Sequence, residues 1–306
     1  MNGLISICIP AYKQPALLES CLQSILRQTY KHIEVIITDD SPDESVKIIV
    51  EKYAAQLNIR YYQNIPALGS PANWNAALMK AGGDYLLLLH HDDLLVKADS
   101  LDRFVTPILN NSTVDFVFGR HSTIEKISGG KAFKGIYFKK YYKNPALLIT
   151  GNTIGPPSNV LLKRSILEAY NERLKWVVDI EYYTRLFIKK RRFYYVDEKL
   201  IEVGIHEAQV TNECLNNPPL LIFENVYYAS LYLNSSSVDI RIYDFYWRLF
   251  RNLGIKSLQD IIRTGITSIP PFIQRIISTQ QKVSTAILRK GFLSKPLMVL
   301  SYLKVL

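Results

Sequence analysis

The sequence predicts an α/β protein: a doubly wound, mostly parallel sheet followed by a C-terminal helical region. Three observations lead to that expectation. Short apolar runs alternate with amphipathic helical segments over residues 4–119, the pattern of a sheet covered by helices on both faces. Two of the early runs end in acidic turns that lead towards helices, at Asp39-Asp40-Ser41 and at Asp92-Asp93. From residue 218 the pattern is helical, aromatic and increasingly basic.

In chain order, residues 4–10 read as a buried first strand stopped by Pro10, which has no N–H to give a sheet ladder. Over residues 15–28, Leu17, Leu18, Cys21, Leu22, Ile25 and Leu26 recur at helical spacing behind Pro15. A second strand at 34–38 runs into Asp39-Asp40-Ser41-Pro42-Asp43, a cluster of turn and N-cap residues, and a helix follows at 44–57. Residues 59–63 read as a third strand and 64–72 as loop. Asn73-Trp74-Asn75 then opens a helix that Gly82-Gly83 ends. Next comes an unbroken apolar run after Tyr85, closed by His90-His91-Asp92-Asp93, which reads as a fully buried strand. A helix at 100–110 and a strand at 114–119 complete this alternation. Residues 120–150 are basic and Tyr-rich and read as a mobile connection, and 151–159 as Pro/Gly-rich loop. A short strand at 160–162, a helix at 165–170, a helix from 176 to about 190 and strands at 193–196 and 200–205 lead to His206.

The Asp92-Asp93 pair is thereby placed at the C-terminal edge of a buried strand. Ligands bind at that edge of an open parallel sheet, because the loops form a crevice there and helix N-termini point into it. Two carboxylates at such an edge suit Mg²⁺ or Mn²⁺ with a bound diphosphate. The alternative is that they cap the turn before the next helix.

Composition sets the outer bounds. A chain of 306 residues holds one large domain or two small ones. Cys8, Cys21 and Cys214 are odd in number, far apart and set in apolar stretches, which suggests neither a disulfide framework nor a zinc site, and fits a reducing compartment. No basic leader with a cleavage site is apparent at the start. No run approaches the roughly 18 apolar residues of a membrane span. The net charge of +10 is uneven: residues 241–306 hold 11 Lys and Arg against 2 Asp and Glu.

In order and spacing, one set of residues resembles a family 2 glycosyltransferase with the nucleotide-diphospho-sugar (GT-A) fold, over residues 3–210. The set is Ser6-Ile7-Cys8-Ile9-Pro10-Ala11-Tyr12, Asp39-Asp40-Ser41, Asn73-Trp74-Asn75, Ala81-Gly82-Gly83-Asp84-Tyr85, Asp92-Asp93, Val178-Asp179 and His206. The resemblance implies a GT-A domain at 1–212, with a nucleotide-sugar-binding half at 1–119 and an acceptor half at 120–212, and then a helical basic region at 213–306. It implies inverting transfer of a sugar from a nucleotide-diphosphate donor, a UDP-sugar first among them, to an acceptor hydroxyl. The synthase signature Gln-x-x-Arg-Trp is absent after Asp179, so one sugar is expected per encounter. Bacterial surface-polysaccharide assembly on a glycan or lipid-linked acceptor suits such an enzyme.

The residue roles follow from the same resemblance. Pro10 and Tyr12 leave the first strand where a flat base packs on a ring, unless Tyr12 is only a lid on the core. Asp39 and Asp40 accept from a uracil-type N–H or a ribose hydroxyl, or else cap the following helix. Asn73 and Asn75 bring amides to the same crevice or serve as cap residues. The family shows an acidic residue two positions before the one matching Asp92, and here His90 stands there. That leaves Asp92 as the metal ligand and Asp93 holding its loop. His206 touches the metal or the diphosphate, or merely closes a strand. Asp179 matches the general base, following Val178 where the family has another acid; the alternative is a structural Asp at a helix start.

Other classes fit less well. A sugar-nucleotide nucleotidyltransferase has a Gly-rich basic loop after its first strand, whereas Pro10-Ala11-Tyr12-Lys13 has no glycine. P-loop and dinucleotide fingerprints are missing too. Nucleic acid is not an expected partner, since the positive charge is interleaved with long apolar side chains. A peripheral site on the cytoplasmic face of the membrane explains both features. A catalytically inactive relative is the reading that His90 keeps open.

Overall fold

The computed structural model describes residues 3–121, 135–206, 209–233 and 238–304. Among the described residues, eight strands form one sheet: β1 (Ile5–Ala11), β2 (Ile33–Asp39), β3 (Ile59–Gln63), β4 (Tyr85–Leu88), β5 (Leu94–Leu95), β6 (Phe116–His121), β7 (Val160–Lys163) and β8 (Phe193–Glu202). Their order is β3-β2-β1-β4-β7-β6-β8-β5. β3, β2, β1 and β4 are mutually parallel, while β7 runs antiparallel to both β4 and β6. β6 and β8 are parallel, and β5 closes the far edge antiparallel to β8.

The continuous apolar runs of β1 and β2 are what a strand buried on both faces requires. Ile5, Ile7 and Ile9 of β1 enter one core with Leu18, Cys21, Leu22 and Ile25 of α1 (Pro15–Leu26). Val46 and Val50 of α2 (Ser45–Tyr53) and Leu101, Phe104 and Ile108 of α4 (Ser100–Asn110) join it. The other face of β1 meets α3 (Ala72–Lys80), where the Cys8 thiol lies 3.7 Å from the Ala77 carbonyl. Register between β1 and β4 is set by Gly82-Gly83. A Cβ on Gly83 would lie 2.6 Å from the Leu4 carbonyl oxygen, so only glycine lets the backbones approach. Nearby, the buried Glu34 carboxylate accepts from Ser6 Oγ at 2.5 Å, Gly82 N at 2.6 Å and Arg60 at 2.7 Å. Burial works against its ionisation, yet these donors hold it below the usual carboxylate range.

Several expectations need correcting. One strand, β8 (Phe193–Glu202), replaces the two expected at 193–196 and 200–205, and its pairing with β6 is irregular beyond Phe118. No helix forms at 165–170: a single 3-10 turn spans Arg164–Ile166, and the Tyr170 N–H bonds to Asn75 Oδ1 at 2.8 Å instead of to a helical carbonyl. Part of the connection read at 120–150 lies outside the described residues. The rest carries short helical turns at Gly135–Lys139, Lys140–Lys143 and Pro145–Thr150. Phe138 is fully buried there, its ring 4.8 Å from Phe118 and 4.9 Å from Tyr195. Aromatic burial without helical periodicity had hidden this packing.

Contacts divide the chain into two compact units. The first holds the described residues up to Lys143 with Thr153–Glu172 and Arg185–His206; the second holds Asn144–Asn152, Arg173–Thr184 and the described residues after His206. The helix α5 (Val178–Ile188) is thus shared between them in sequence. The second unit packs α6 (Pro218–Tyr232), α7 (Ile240–Leu253), α8 (Pro271–Gln280) and α9 (Gly291–Leu303) with shorter helices. Its buried aromatics also satisfy their polar ends, Tyr246 donating to the Asn225 carbonyl at 2.7 Å and Trp247 Nε1 to Ser294 Oγ at 2.9 Å.

Candidate active site

Because β2, β1 and β4 run parallel as neighbours, their C-terminal ends share one edge of the sheet, and the turns that leave them carry Tyr12, Asp39-Asp40 and His90-His91-Asp92-Asp93. Beyond β4, Leu89 still donates to the Cys8 carbonyl at 2.9 Å, and the turn then crosses to β5. Asp93 is 2 % exposed and accepts from the Gly204 N–H at 2.9 Å through Oδ1, which ties this turn to the end of β8. Gly204 is required for that approach, since a Cβ there would sit 2.3 Å from the Asp92 carbonyl oxygen. The same connection delivers His206, whose Nε2 lies 3.0 Å from Asp92 Oδ2 and whose Nδ1 lies 3.5 Å from the Gln14 amide nitrogen. An amide nitrogen only donates, so the Gln14 contact favours the tautomer in which Nε2 carries the proton and donates to Asp92.

His90, Asp92 and Asp93 each offer a ligand atom, and these lie within 4.8 Å of one another. Asp93 Oδ2, His90 Nε2 and His91 Nε2 are buried without a hydrogen-bond partner among the described residues. A bare buried polar atom is costly, by about 1–3 kcal/mol each. Burial pushes the Asp93 carboxyl up to about 7, with the Asp92 charge adding to the effect. It also lowers His90 to about 4, which leaves that imidazole neutral and able to ligate. Asp92 is held below the usual carboxylate range: burial opposes this, while the His90 and His91 imidazoles and the His206 hydrogen bond favour it. Acceptors clustered around one ionised carboxylate fit a divalent cation.

The residues expected around the donor divide into two kinds. Tyr12 is half-exposed just beyond β1, with the Lys13 ammonium 5.1 Å from its ring centroid. Its neighbours Lys13 and Gln14 adopt positive φ values of 56° and 54°, and Lys13 N donates to Ser41 Oγ at 2.6 Å, so the turn after β1 is held against the turn after β2. Pro10 is buried, and its carbonyl accepts from His91 Nδ1 at 3.3 Å. The others are buried and engaged within the fold. Asp39 accepts from Ser41 N and from Tyr61 Oη, both at 2.8 Å. Asp40 accepts from Asn64 Nδ2, Leu68 N and Gly69 N, which ties down the loop after β3. Asn73 donates to the Ala11 and Thr38 carbonyls at 3.3 and 3.2 Å. Asn75 donates to the Tyr170 carbonyl and to Glu172, both at 3.0 Å. None of these four caps its own helix, since no side-chain cap bond is made at the start of α2 or α3.

Asp179 belongs to the second unit and lies in the first turn of α5. Its carboxylate accepts from Asn152 Nδ2 and from Ile180 N, both at 2.7 Å. Burial pushes it up to about 7 against those hydrogen bonds, and the Glu224 charge raises it further. Glu224 itself is fully buried and accepts from the N–H groups of Lys175, Trp176 and Val177 at 2.8, 2.8 and 3.0 Å. It thereby satisfies the backbone donors that lead into α5 and holds the approach to Asp179.

Sequence reasoning missed Glu224 and Asn152, and gave Trp74 no role of its own. The signal for Glu224 is that it is the one charged residue in α6. Trp74 packs its ring 4.8 Å from His90 and 5.4 Å from Tyr170, which a helix-opening Trp does not announce.

Comparison with known proteins agrees with this architecture. The chain is 30 % identical over 230 residues to an uncharacterised glycosyltransferase of Rickettsia typhi, covering 70 % of this chain and 68 % of that one. It is 28 % identical over 144 residues, 46 % of this chain and 56 % of the relative, to the Escherichia coli UDP-Glc:alpha-D-GlcNAc-diphosphoundecaprenol beta-1,3-glucosyltransferase WfgD. Among solved structures, S. aureus TarS 1–349 in complex with UDP-GlcNAc superposes with a TM-score of 0.64 at 19 % identity, covering 98 % of this chain and 90 % of that one. The mannosyltransferase PcManGT from Pyrobaculum calidifontis, in complex with GDP-Man and Mn²⁺, gives 0.58 at 14 % identity, with 100 % and 86 % covered. The family model for glycosyl transferase family 2 matches residues 6–170, the stretch that builds β1 to β4 and the turn bearing Asp92, and the chain accordingly belongs to glycosyl transferase family 2 and carries the GT-A fold.

Proposed function

We propose that the chain is a metal-dependent, inverting glycosyltransferase that moves one sugar per encounter from a UDP-sugar to a glycan or lipid-linked acceptor in bacterial surface-polysaccharide assembly. The observation that carries this reading is the His90-His91-Asp92-Asp93 turn, where potential ligand atoms of His90, Asp92 and Asp93 lie within 4.8 Å of one another and buried polar atoms lack partners among the described residues. The nucleotide-sugar complexes of TarS and PcManGT, and the lipid-diphosphate acceptor in the name of WfgD, support the donor and acceptor classes.

Asp92 would hold Mg²⁺ or Mn²⁺, its carboxylate oriented by the hydrogen bond from His206 Nε2. When bound, such an ion neutralises charge developing on the departing diphosphate. Asp93 keeps the turn in place through Gly204. Tyr12 stacks on the base behind Pro10. Asp39, Asp40, Asn73 and Asn75 shape the walls of the donor crevice through the loops that they tether. Asp179 takes the proton from the acceptor hydroxyl as its oxygen attacks the anomeric carbon. A carboxyl near 7 is well matched to that task at neutral pH. Release of free nucleoside diphosphate from a panel of nucleotide sugars, with Mn²⁺ or Mg²⁺ present, tests this reading. Turnover of at least one donor is expected, and no turnover of any would reduce the chain to an inactive relative.

The second unit supports a peripheral membrane location. No helix among the described residues is long and apolar enough to cross a membrane. In α9, however, the packing is inverted: Ser294, Met298 and Ser301 face inward while Phe292, Leu293, Leu300 and Leu303 are exposed. Arg289, Lys290, Lys295 and Lys304 flank that face, a combination suited to an anionic headgroup layer. The chain is expected to float with anionic vesicles and to be partly released by salt, and Phe292→Glu with Leu300→Glu should abolish flotation. Unchanged flotation of that double variant would refute α9 as the contact.

A further inference from the structure

We propose that His90 is itself a metal ligand, completing the site with Asp92 and Asp93, and that its nitrogen biases the site towards Mn²⁺ over Mg²⁺. This rests on the reading that Asp92 binds a divalent ion, and adds a residue and a selectivity to it. On sequence alone His90 is a defect, a histidine where the family has an acid. The structure makes it a donor of a different kind.

The imidazole is brought to the carboxylates by specific contacts. The His90 backbone N–H donates to Ser158 Oγ at 3.0 Å, and its carbonyl accepts from Asp93 N at 3.0 Å. Trp74 packs on the ring with centroids 4.8 Å apart. The result places His90 Nδ1 3.9 Å from Asp93 Oδ2, too far for a hydrogen bond and close enough for both to reach one ion. Asp93 Oδ2 has no other hydrogen-bond partner among the described residues although its residue is 2 % exposed. Native proteins seldom leave such an oxygen bare; the Ser158 hydroxyl favours the Asp93 charge, whereas the His90 imidazole, a second Lewis base, repays nothing without a cation. A site of one imidazole and two carboxylates is not a Mg²⁺ site by preference: Mg²⁺ takes oxygen ligands and keeps its waters, whereas transition ions accept nitrogen readily.

The test uses the full chain, Mn²⁺ and UDP. Binding is read from loss of the free-Mn²⁺ electron paramagnetic resonance signal, and ligation from ¹⁴N modulation of the bound ion in pulsed measurements. Wild type should show imidazole nitrogen coupling, which should disappear in His90→Gln and in His90→Asp but persist in His206→Gln. His90→Gln should weaken Mn²⁺ binding by about tenfold or more, since even outer-shell partners of a metal are worth that much. In His90→Asp, Mg²⁺ should displace Mn²⁺ at a concentration about tenfold lower than in wild type. Bound Mn²⁺ without nitrogen coupling in wild type, or coupling unchanged in both His90 variants, would overturn the proposal and leave the Asp92 site standing. Coupling that vanishes in the His90 variants while Asp92→Asn binds Mn²⁺ normally would instead overturn the Asp92 reading. No Mn²⁺ bound by wild type, with or without UDP, would overturn both.

Discussion

With Asp92 replaced by Asn, divalent-metal-dependent turnover of the nucleotide sugar is expected to fall by at least about a hundredfold, because an ion at a developing charge is worth several kcal/mol. The domain should stay folded. Asn retains an oxygen that accepts from His206 Nε2, the internal contact that the Asp92 carboxylate makes at 3.0 Å, and Asp93 keeps its bond to Gly204. Thermal unfolding of the variant should therefore lie close to that of wild type while nucleoside-diphosphate release collapses. Wild-type turnover by Asp92→Asn in Mn²⁺ or Mg²⁺ would remove the residue from the metal site.

The second large effect is expected at Asp179. Asp179→Asn should still bind nucleotide but transfer the sugar about 10²–10⁴-fold more slowly, the usual loss on removing a general base. The pH profile adds a sharper signature. Burial raises the Asp179 carboxyl to about 7, so in wild type the rate should climb with pH, about tenfold per unit well below 7, and level off above. The residual rate of Asp179→Asn should lack that limb. The stability effect has the opposite sign. A carboxyl raised in the folded state binds its proton there while the unfolded chain has released it, so between about 4 and 7 this group makes stability fall as pH rises. Asp179→Asn should weaken that slope, and calorimetric melts at pH 5 and 8 would show it. Lost nucleotide binding in Asp179→Asn, with unchanged transfer of what binds, would assign the residue to the donor instead.

Much of this was legible in the sequence because β1, β2 and β4 of the parallel half are buried along nearly their whole length. Strand β3 and helix α4 lie where periodicity put them, and β1 and β2 differ by a residue or so at each end. The far half was harder for a physical reason. The two-residue β5 is defined by its partner β8 rather than by its own pattern. In β8 the polar Asp197-Glu198-Lys199 stretch reads as a turn, yet Glu198 is ion-paired to Lys97 at 2.6 Å and to Arg103 while the strand continues. Long-range bonds of this kind leave no local trace.

The candidate site was legible to a similar depth. Motif order led to Asp92 and His206, and the structure sets them 3.0 Å apart. What the motifs do not show is that Asp40, Asn73 and Asn75 act on the protein's own loops. Nor do they show that Glu224 holds the backbone ahead of Asp179 from another helix. These are tertiary hydrogen bonds of buried polar groups, invisible until the elements are assembled.

The proposed reaction is a single displacement, in which the acceptor oxygen, deprotonated by Asp179, attacks the anomeric carbon opposite the departing nucleotide. The most direct test is the anomeric configuration of the first product, read by proton NMR from the coupling at the new linkage before any equilibration. Starting from an α-linked nucleotide sugar, a β-linked product is expected. An α-linked product would mean retention, and would contradict both the single displacement and the role given to Asp179.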